Sequence, residues 1–583
     1  MRSSHDSGLG LGKLRVGKYL GLLQQDLNAV YSRDVLKWLL IAPIIGVVTG
    51  IVITGVAVAI LDRAWGFFLP RFYAHHWLII PVVAAGFVLA GLIMQFLTDN
   101  PDLHSTEEII SSYHEHQGDI NPRPFWFKLF AALFTVGFGG SAALEGPSIY
   151  GGGAIGSWLW SRLRRLELRP EDRRTMLISG AAAGMAAVFR APLTGLVFAL
   201  EMPFRDDLAH EALLPAFIAA VVAYATLVAV LGSQPLFYFV GTIRFAAMDL
   251  VWAALLGLVC GLLAMCFAIL FRRVRGAAVR SRLPHTLKML VGGLATGACG
   301  LIFVSLFSQP LLPLGPDYEV VREMLARPHS STCLLGFFLL KAAATIFTLG
   351  VGGVSAAFVP LLLLGGAVGN IFGQSVLHAT TVDLFAAVGM ASFIAAAYKT
   401  PLAAVLFVAE TTGGIAFLIP SLIGAAVAYA VSGEASVSGD QRLHQMPRLS
   451  GPTGIKVSEI MQPHVIGVEA SSTVRDFVAR IGSAQRHPVY PVFEHGRAVA
   501  MVSWWEVSQL PPERWDQTVV GEIARREITT IDKEADLGEA VRLLTREQRD
   551  RLLLVLDANG APVGILTNGD VLNALEAGGR NHH

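Results

Sequence analysis

The chain has 583 residues, of which 53% are hydrophobic and 15% are charged, and its formal net charge is +1. Soluble domains usually carry roughly a quarter charged residues, so this composition disfavours an ordinary soluble enzyme. The net charge gives no electrostatic case for binding nucleic acid. The four cysteines lie in or beside apolar stretches without a CxxC pair, which predicts buried thiols rather than a metal or redox centre.

Charged residues are spread unevenly along the chain. Residues 451–583 contain 32 of the 89 charged side chains, which is typical of a soluble domain, whereas the first 450 residues hold only 57. We therefore predict a cytoplasmic N-terminal segment (1–35), a transmembrane domain (36–446, with halves at about 36–232 and 248–433), a linker (447–455) and a soluble part (456–576). Basic residues before the first apolar run favour a cytoplasmic N-terminus.

Two kinds of apolar segment follow one another in the membrane part. Four uncharged runs are long enough to span a bilayer, at 38–61, 77–97, 212–242 and 250–271. Four others contain glycines and an internal proline, at 137–156, 180–201, 350–369 and 389–410. The second kind predicts broken or half-spanning helices, which are tolerated at membrane depth where they line a polar cavity or are buried in protein.

The interrupted segments repeat each other. Six residues recur 213 positions later, namely Lys128, Phe134, Gly139, Gly140, Pro147 and Gly156, and four recur 209 positions later, namely Gly180, Pro192, Leu193 and Glu201. Two constant offsets favour a true internal repeat over chance matches between Gly- and Ala-rich stretches. Matching interruptions in two halves predict a transport site where the repeats meet.

Glu145 is the single charged residue between positions 129 and 161. An ionised carboxylate in such a segment is costly without partners. Pro147 suits the first turn of a helix, whose free N–H groups favour an anion. Glu145 is therefore either a gate that competes with a permeating anion or a helix cap bonded to backbone amides. At the same repeat position, Phe358 starts either a second anion-binding helix or an ordinary packed one.

These residues carry a family resemblance. Leu144-Glu145-Gly146-Pro147 resembles the GKEGP or GREGP motif of the CLC family of chloride channels and proton/anion antiporters, and 356–360 resembles its GxFxP motif. The resemblance implies an all-α polytopic membrane fold with inverted repeats and broken helices, assembled as a homodimer with one pathway per subunit. It also implies that Glu145 is the gate and that backbone around Gly146, Pro147, Ala357 and Phe358 contacts the anion.

The chain departs from the family pattern at side chains expected to touch ions. His104 stands at the chloride-binding serine of the family, with Ser105 beside it, although Ser105-x-x-Glu108 also resembles a helix-capping box. Ser438 aligns with the pore tyrosine, whose loss would open the pathway. Met202 replaces a proton-relaying glutamate, and a thioether cannot carry a proton.

The loss at Met202 favours a passive voltage- or pH-gated chloride channel. Two alternatives within the family stay open: a proton/chloride antiporter with a non-standard proton path, and a conductor of another anion such as fluoride or nitrate. Glu201 has a repeat twin in Glu410, which favours a structural role for both carboxylates.

The soluble part contains a second repeat, in which apolar strands alternate with amphipathic helices at 456–508 and 518–576. This α+β pattern resembles a tandem pair of CBS domains. The resemblance implies an optional adenine nucleotide, with Thr567 on a phosphate and Asp570 on the ribose. Asp570 as the N-cap of the following helix is the alternative.

The expected partners are chloride or a similar small anion, the lipid bilayer and a second copy of the chain. We expect an integral multi-pass protein of the plasma (inner) membrane with both termini in the cytoplasm. No catalytic residue set and no metal site are predicted, so the chain is not expected to be an enzyme. A membrane sensor whose output is the CBS pair is a further alternative, but it lacks a kinase or cyclase motif.

Overall fold

A computed structural model divides the chain into two units, Met1–Gln445 and Met446–His583. It describes residues 35–98, 105–121, 124–163, 168–233, 237, 245–307, 310–316, 318–327, 329–376, 383–412, 415–438, 441, 455–463, 465, 467–481, 489–494, 497–526, 528–546, 552–557, 560–567 and 569–571. Most of the predicted N-terminal segment and linker lies outside these residues.

The first unit is helical throughout the described ranges. Its first half contains α1 (Val35–Ala74), α2 (Ile79–Leu97), α3 (Ser105–Glu115), α4 (Phe125–Gly137), α5 (Glu145–Arg162), α6 (Asp172–Phe189), α7 (Pro192–Glu201) and α8 (Leu213–Leu231). Its second half contains α9 (Ala247–Arg280), α10 (His285–Leu306), α11 (Tyr318–Ala326), α12 (Ser331–Leu349), α13 (Phe358–Ser375), α14 (Asp383–Tyr398), α15 (Pro401–Thr412) and α16 (Leu418–Val431).

Seven of the described helices are long and apolar enough to cross a membrane. The four predicted uncharged spans fall on α1, α2, α8 and α9. The predicted run at 212–242 was too long, because α8 ends at Leu231 and Gly232 follows with φ +81°, a conformation that ends a helix. The all-α membrane fold that the family resemblance implies is thus confirmed.

The glycine- and proline-rich segments are broken helices, as predicted. In each half a helix stops before the next one starts, at Gly137 before Glu145 and at Leu349 before Phe358. Gly139 and its repeat twin Gly352 have φ of +112° and +109°, which a side chain would strain.

The second break in each half is also at equivalent positions. Arg190 and its repeat twin Lys399 both adopt the left-handed region, at φ +54° and +60°, just before the prolines that start α7 and α15. The two halves therefore share backbone conformation as well as sequence.

The two halves make reciprocal contacts with each other. Ala143 and its twin Ala356 form an antiparallel bridge, with N···O distances of 2.8 and 3.4 Å. The Glu201 carboxylate accepts the backbone N–H groups of Leu402 and Ala403, at 3.1 and 2.9 Å. Glu410 reciprocally accepts those of Leu193 and Thr194, at 2.9 and 2.7 Å.

These reciprocal bonds give Glu201 and Glu410 the structural role expected of them. Glu410→Gln should lower stability by about 1.5–3 kcal/mol, because it weakens charge-assisted bonds to the start of α7. The midpoint of thermal unfolding in detergent measures this. Glu434→Gln is the control, since its side chain is exposed and lies 3.7 Å from Arg205. Equal midpoints for the two variants would contradict the role.

The second unit consists of two copies of one arrangement. The first contains α17 (Val457–Ile460), β1 (Val468–Glu469), α18 (Val474–Ile481), β2 (Val489–Glu494), β3 (Arg497–Ser503) and α19 (Trp504–Ser508). The second contains α20 (Val520–Ile523), β4 (Thr530–Asp532), α21 (Leu537–Arg546), β5 (Leu552–Leu556) and β6 (Pro562–Thr567). In each copy the first strand pairs parallel with the second, which pairs antiparallel with the third.

Candidate functional site

Two helix starts meet at Glu145. Glu145 begins α5 and is 1% exposed, and its repeat twin Phe358 begins α13. The backbone N–H of Phe358 donates to Oε1 of Glu145 at 2.6 Å. The Ala143–Ala356 bridge, two residues before each start, holds the two helices in this arrangement. A carboxylate of one half thus accepts a hydrogen bond from a backbone N–H at the positive end of a helix in the other half.

The second carboxylate oxygen of Glu145 differs from those of Glu201 and Glu410, the two other glutamates at the repeat interface. Oε2 is buried and has no partner at hydrogen-bond distance and angle among the described residues, although the Tyr398 hydroxyl interacts with the carboxylate. In Glu201 and Glu410, by contrast, both oxygens accept backbone N–H groups. An unsatisfied buried acceptor costs about 1–3 kcal/mol, so Glu145 is not the fully bonded helix cap that the sequence left open.

The other predicted anion contacts at the two helix starts differ in what they offer. The N–H of Ala357 donates to the hydroxyl of Tyr398 at 3.0 Å. Pro147 has no N–H and cannot donate, so its predicted anion contact can only come from ring atoms. Gly146 lies so close to the other half that a Cβ there would stand 2.8 Å from the carbonyl carbon of Ser355. An anion that binds the N–H of Ala357 must therefore displace the Tyr398 hydroxyl.

Tyr398 is a site residue that the sequence analysis missed. It ends α14, and its ring lies 6.0 Å from that of Phe358. Phe358 is packed on its other sides by the rings of Phe189, Phe198 and Phe407, at 4.8–5.6 Å. The signal was present, because Tyr398 is the repeat twin of Phe189 and is the one of the two that carries a hydroxyl. The tyrosine of the site therefore comes from α14 and not from the position of Ser438.

A cavity adjoins Tyr398 and the residue before Phe358. Its lining includes Thr106, Glu107, Arg275, Ala357, Tyr398 and Ser438, and Glu145 is not among its lining residues. Tyr398 therefore borders the cavity and also interacts with the carboxylate of Glu145. We call this space the Tyr398 cavity.

The sequence also predicted three side chains as anion contacts, namely Ser438, Ser105 and His104. Ser438 lines the Tyr398 cavity, and its N–H donates to Oγ of Ser436 at 3.1 Å. Ser105 begins α3, and its neighbour Thr106 lines the cavity. His104 lies outside the described residues.

Met202 follows α7 and is 1% exposed. Its carbonyl accepts from Nε2 of Gln441 at 3.1 Å, and the same nitrogen donates to the carbonyl of Tyr398 at 3.1 Å. The position that the resemblance assigns to a relaying carboxylate is thus a buried thioether.

In the second unit, Asp570 is hydrogen-bonded to Thr567 of its own copy and to Gln462 of the other copy. Its carboxylate accepts the N–H and hydroxyl of Thr567, at 2.8 and 2.6 Å, and Nε2 of Gln462, at 2.9 Å. Asp570 is helical and accepts the N–H of the residue three positions before it, as the last residue of a capping box does, so Thr567 and not Asp570 stands at the N-cap position. The predicted N-cap role of Asp570 is wrong in this detail. A nucleotide at Thr567 and Asp570 would have to exchange with these bonds.

The first copy has the same local arrangement at Ser503 and Glu506. The Glu506 carboxylate accepts the N–H of Ser503 at 2.8 Å and pairs with Arg525 at 2.8 Å. Burial raises the pKa of Glu506, but the bonds from Ser503 and the charge of Arg525 outweigh it and hold that pKa below its usual value.

Paired half-helices whose N-termini meet inside a helical membrane bundle define an architecture for moving anions. The family model described as "Voltage gated chloride channel" matches residues 85–433, more than half of the chain. The chain therefore belongs to this family, the CLC family, and is a membrane protein of anion transport. The CBS domain model matches residues 520–577.

Known proteins resemble this chain over most of the first unit. The H(+)/Cl(-) exchange transporter ClcA of Klebsiella pneumoniae is 27% identical over 376 residues, which is 60% of this chain and 75% of that protein. The crystal structure of a CLC-type fluoride/proton antiporter is 24% identical with a TM-score of 0.61, covering 70% of this chain and 97% of its own. A eukaryotic CLC transporter is 18% identical with a TM-score of 0.59, covering 92% and 98%. The two structures establish likeness of fold.

Proposed function

We propose that the protein conducts chloride passively through a pathway gated by the carboxylate of Glu145. When ionised, the carboxylate occupies the N–H of Phe358 and excludes the anion. When protonated or displaced, it frees this donor, and a halide takes its place. Binding to backbone N–H groups without a lysine or arginine at the donor site is weak and reversible, as conduction requires.

The observation that carries the gate is the contrast among three glutamates where the two repeats meet. Glu201 and Glu410 have each oxygen bonded to backbone and hold helix starts in place. Glu145 has one bonded oxygen and one without a partner among the described residues. Because the Glu145 carboxylate has fewer hydrogen bonds than the other two, it is the one that an anion can displace or a proton can neutralise.

Passive transport is supported by Met202, since a buried thioether gives protons no acceptor at that position. The second candidate, proton/chloride antiport by another path, is favoured by the name of the Klebsiella relative, an H(+)/Cl(-) exchange transporter.

A proton-flux measurement separates the two candidates. In liposomes with a chloride gradient and lightly buffered external medium, we expect chloride to flow without proton movement against its own gradient. Valinomycin and potassium set the voltage, and protein-free liposomes are the control. Uphill proton movement in fixed ratio to chloride would establish antiport instead.

Anion identity is tested on the same liposomes. We propose chloride as the substrate, with His104, Ser105 and Ser438 as further anion contacts beside Gly146, Pro147, Ala357 and Phe358. Initial rates with chloride, nitrate and fluoride at equal concentration should be highest for chloride. A faster rate for fluoride or nitrate would reassign the substrate.

Membership of the family also supports proposals about the assembly of the protein and its location in the cell. We propose a homodimer in the plasma (inner) membrane, with the N- and C-terminal segments in the cytoplasm. Mass measurement in detergent and protease accessibility of the second unit in oriented vesicles test the two statements.

We propose that the second unit binds an adenine nucleotide at Thr567 and Asp570. The support is the match to the CBS domain at 520–577 and the position of both residues at the end of β6. Calorimetry on the full-length protein with millimolar ATP should show saturable heat that Asp570→Ala removes. Binding unchanged by Asp570→Ala, or no heat with either protein, would refute this site.

A further inference from the structure

The Tyr398 cavity contains two opposite charges, Glu107 on α3 and Arg275 on α9. Nη1 and Nη2 of Arg275 donate to Oε1 and Oε2 of Glu107, which makes a two-point ion pair. The Glu107 side chain is 7% exposed and that of Arg275 is 18% exposed. The Arg275 side chain is thus the more exposed partner of a pair that borders the space next to Tyr398.

A second ion pair stands one residue along α3 and provides a comparison. Glu108 pairs with Lys128, whose ammonium lies 4.5 Å from the centre of the Tyr150 ring. Neither residue lines the Tyr398 cavity. The Lys128–Glu108 pair ties α3 to α4 within the protein, whereas the Arg275–Glu107 pair is in contact with the cavity.

A guanidinium at a cavity with apolar and hydroxyl walls has a strong effect on small anions. Charge in a cleft with low-dielectric walls raises the local concentration of counter-ions, and its interaction with an anion at a given distance is stronger than in water. The adjacent carboxylate reduces this field without abolishing it, because the Arg275 side chain is the more exposed of the two. A weak, tuned attraction lets an anion enter and leave.

We propose that the Arg275–Glu107 pair sets the affinity with which an anion is held in the Tyr398 cavity before it reaches Glu145. Arg275 attracts the anion, and Glu107 limits the attraction. The proposal rests on the proposed function in one respect, that the pathway runs past Tyr398 to Glu145. It applies to a channel and to an antiporter alike.

The test is the half-saturating chloride concentration of initial uptake by liposomes at low ionic strength. Glu107→Gln leaves the guanidinium without its counter-charge and should lower this concentration about threefold or more at about 20 mM salt. Arg275→Gln leaves the carboxylate and should raise it by a similar factor. The double variant should lie between them, and every shift should shrink as inert salt is added, because salt screens the charge.

Glu108→Gln is the matched control, since it breaks the neighbouring pair away from the cavity. It should leave the half-saturating concentration within twofold of the wild type, even if it lowers the unfolding temperature. Each variant is first checked for monodispersity. Equal shifts of one sign in Glu107→Gln, Arg275→Gln and Glu108→Gln, or shifts insensitive to salt, would overturn the proposal. Failure of the Glu145 gate would appear separately, as unchanged pH dependence in Glu145→Gln.

Discussion

Glu145→Gln is expected to conduct chloride at a rate that no longer depends on pH, whereas the wild type should conduct faster as pH falls. The neutral amide stands in for the protonated carboxylate. Its bond to the Phe358 N–H lacks the charge assistance of the native bond, a difference of about 1 kcal/mol or more. At neutral pH or above, the variant should therefore conduct about tenfold faster than the wild type. Chloride efflux from liposomes across a pH series measures both effects.

Glu201→Gln is the control for this result, because it also neutralises a buried carboxylate at the repeat interface. Its oxygens hold the start of α15, so the variant should unfold at lower temperature yet keep the pH response of the wild type. A Glu145→Gln protein that retains the wild-type pH dependence would show that Glu145 is not the gate. A variant that is folded but no longer conducts would show that the carboxylate itself is needed for anion passage.

Gly152→Ala is expected to yield no folded protein. Helices α5 and α6 approach so closely that a Cβ at Gly152 would stand 1.9 Å from the carbonyl oxygen of Gly180. Backbone cannot give way as a side chain can, so the cost should exceed the roughly 1–3 kcal/mol typical of overpacking. The equivalent Gly365→Ala would meet the Gly389 carbonyl at 2.1 Å and should fail in the same way.

Gly55→Ala controls for the loss of a membrane-helix glycine. It lies in α1 with nothing within 4 Å of the added Cβ, and it should be neutral or more stable by about 0.5–1 kcal/mol. The yield of monodisperse protein from detergent and the unfolding temperature compare the variants. Wild-type yields of Gly152→Ala would contradict the close contact between α5 and α6.

Elements with a strong local signal in the sequence were predictable. A proline, a glycine in a left-handed conformation or a run without charge constrains the backbone around it. The breaks before Pro192 and Pro401 and the spans at 38–61 and 77–97 could therefore be predicted from the local sequence. Span ends were less certain, since 212–242 stays apolar beyond the glycine that ends α8 at Leu231.

Contacts between distant segments were not predictable from local signals. Tyr398 reaches the site because the bridge between Ala143 and Ala356 brings two helix starts together, 213 residues apart. Alignment of a short motif placed the tyrosine position at Ser438, which borders the same cavity on a different element. The Arg275–Glu107 pair joins residues 168 positions apart and has no local signature at all.

A membrane protein built from two related halves, with Glu145 isolated in an apolar segment, could be predicted before the fold was known, because the cost of charge in an apolar segment is a property of the segment alone. Which carboxylates are fully bonded is visible only in the folded chain. Glu145, Glu201 and Glu410 are all glutamates of interrupted apolar segments, yet two are satisfied by backbone from the other half and one keeps an oxygen without a described partner. The physical reason is that hydrogen-bond satisfaction depends on which N–H groups the opposite repeat presents.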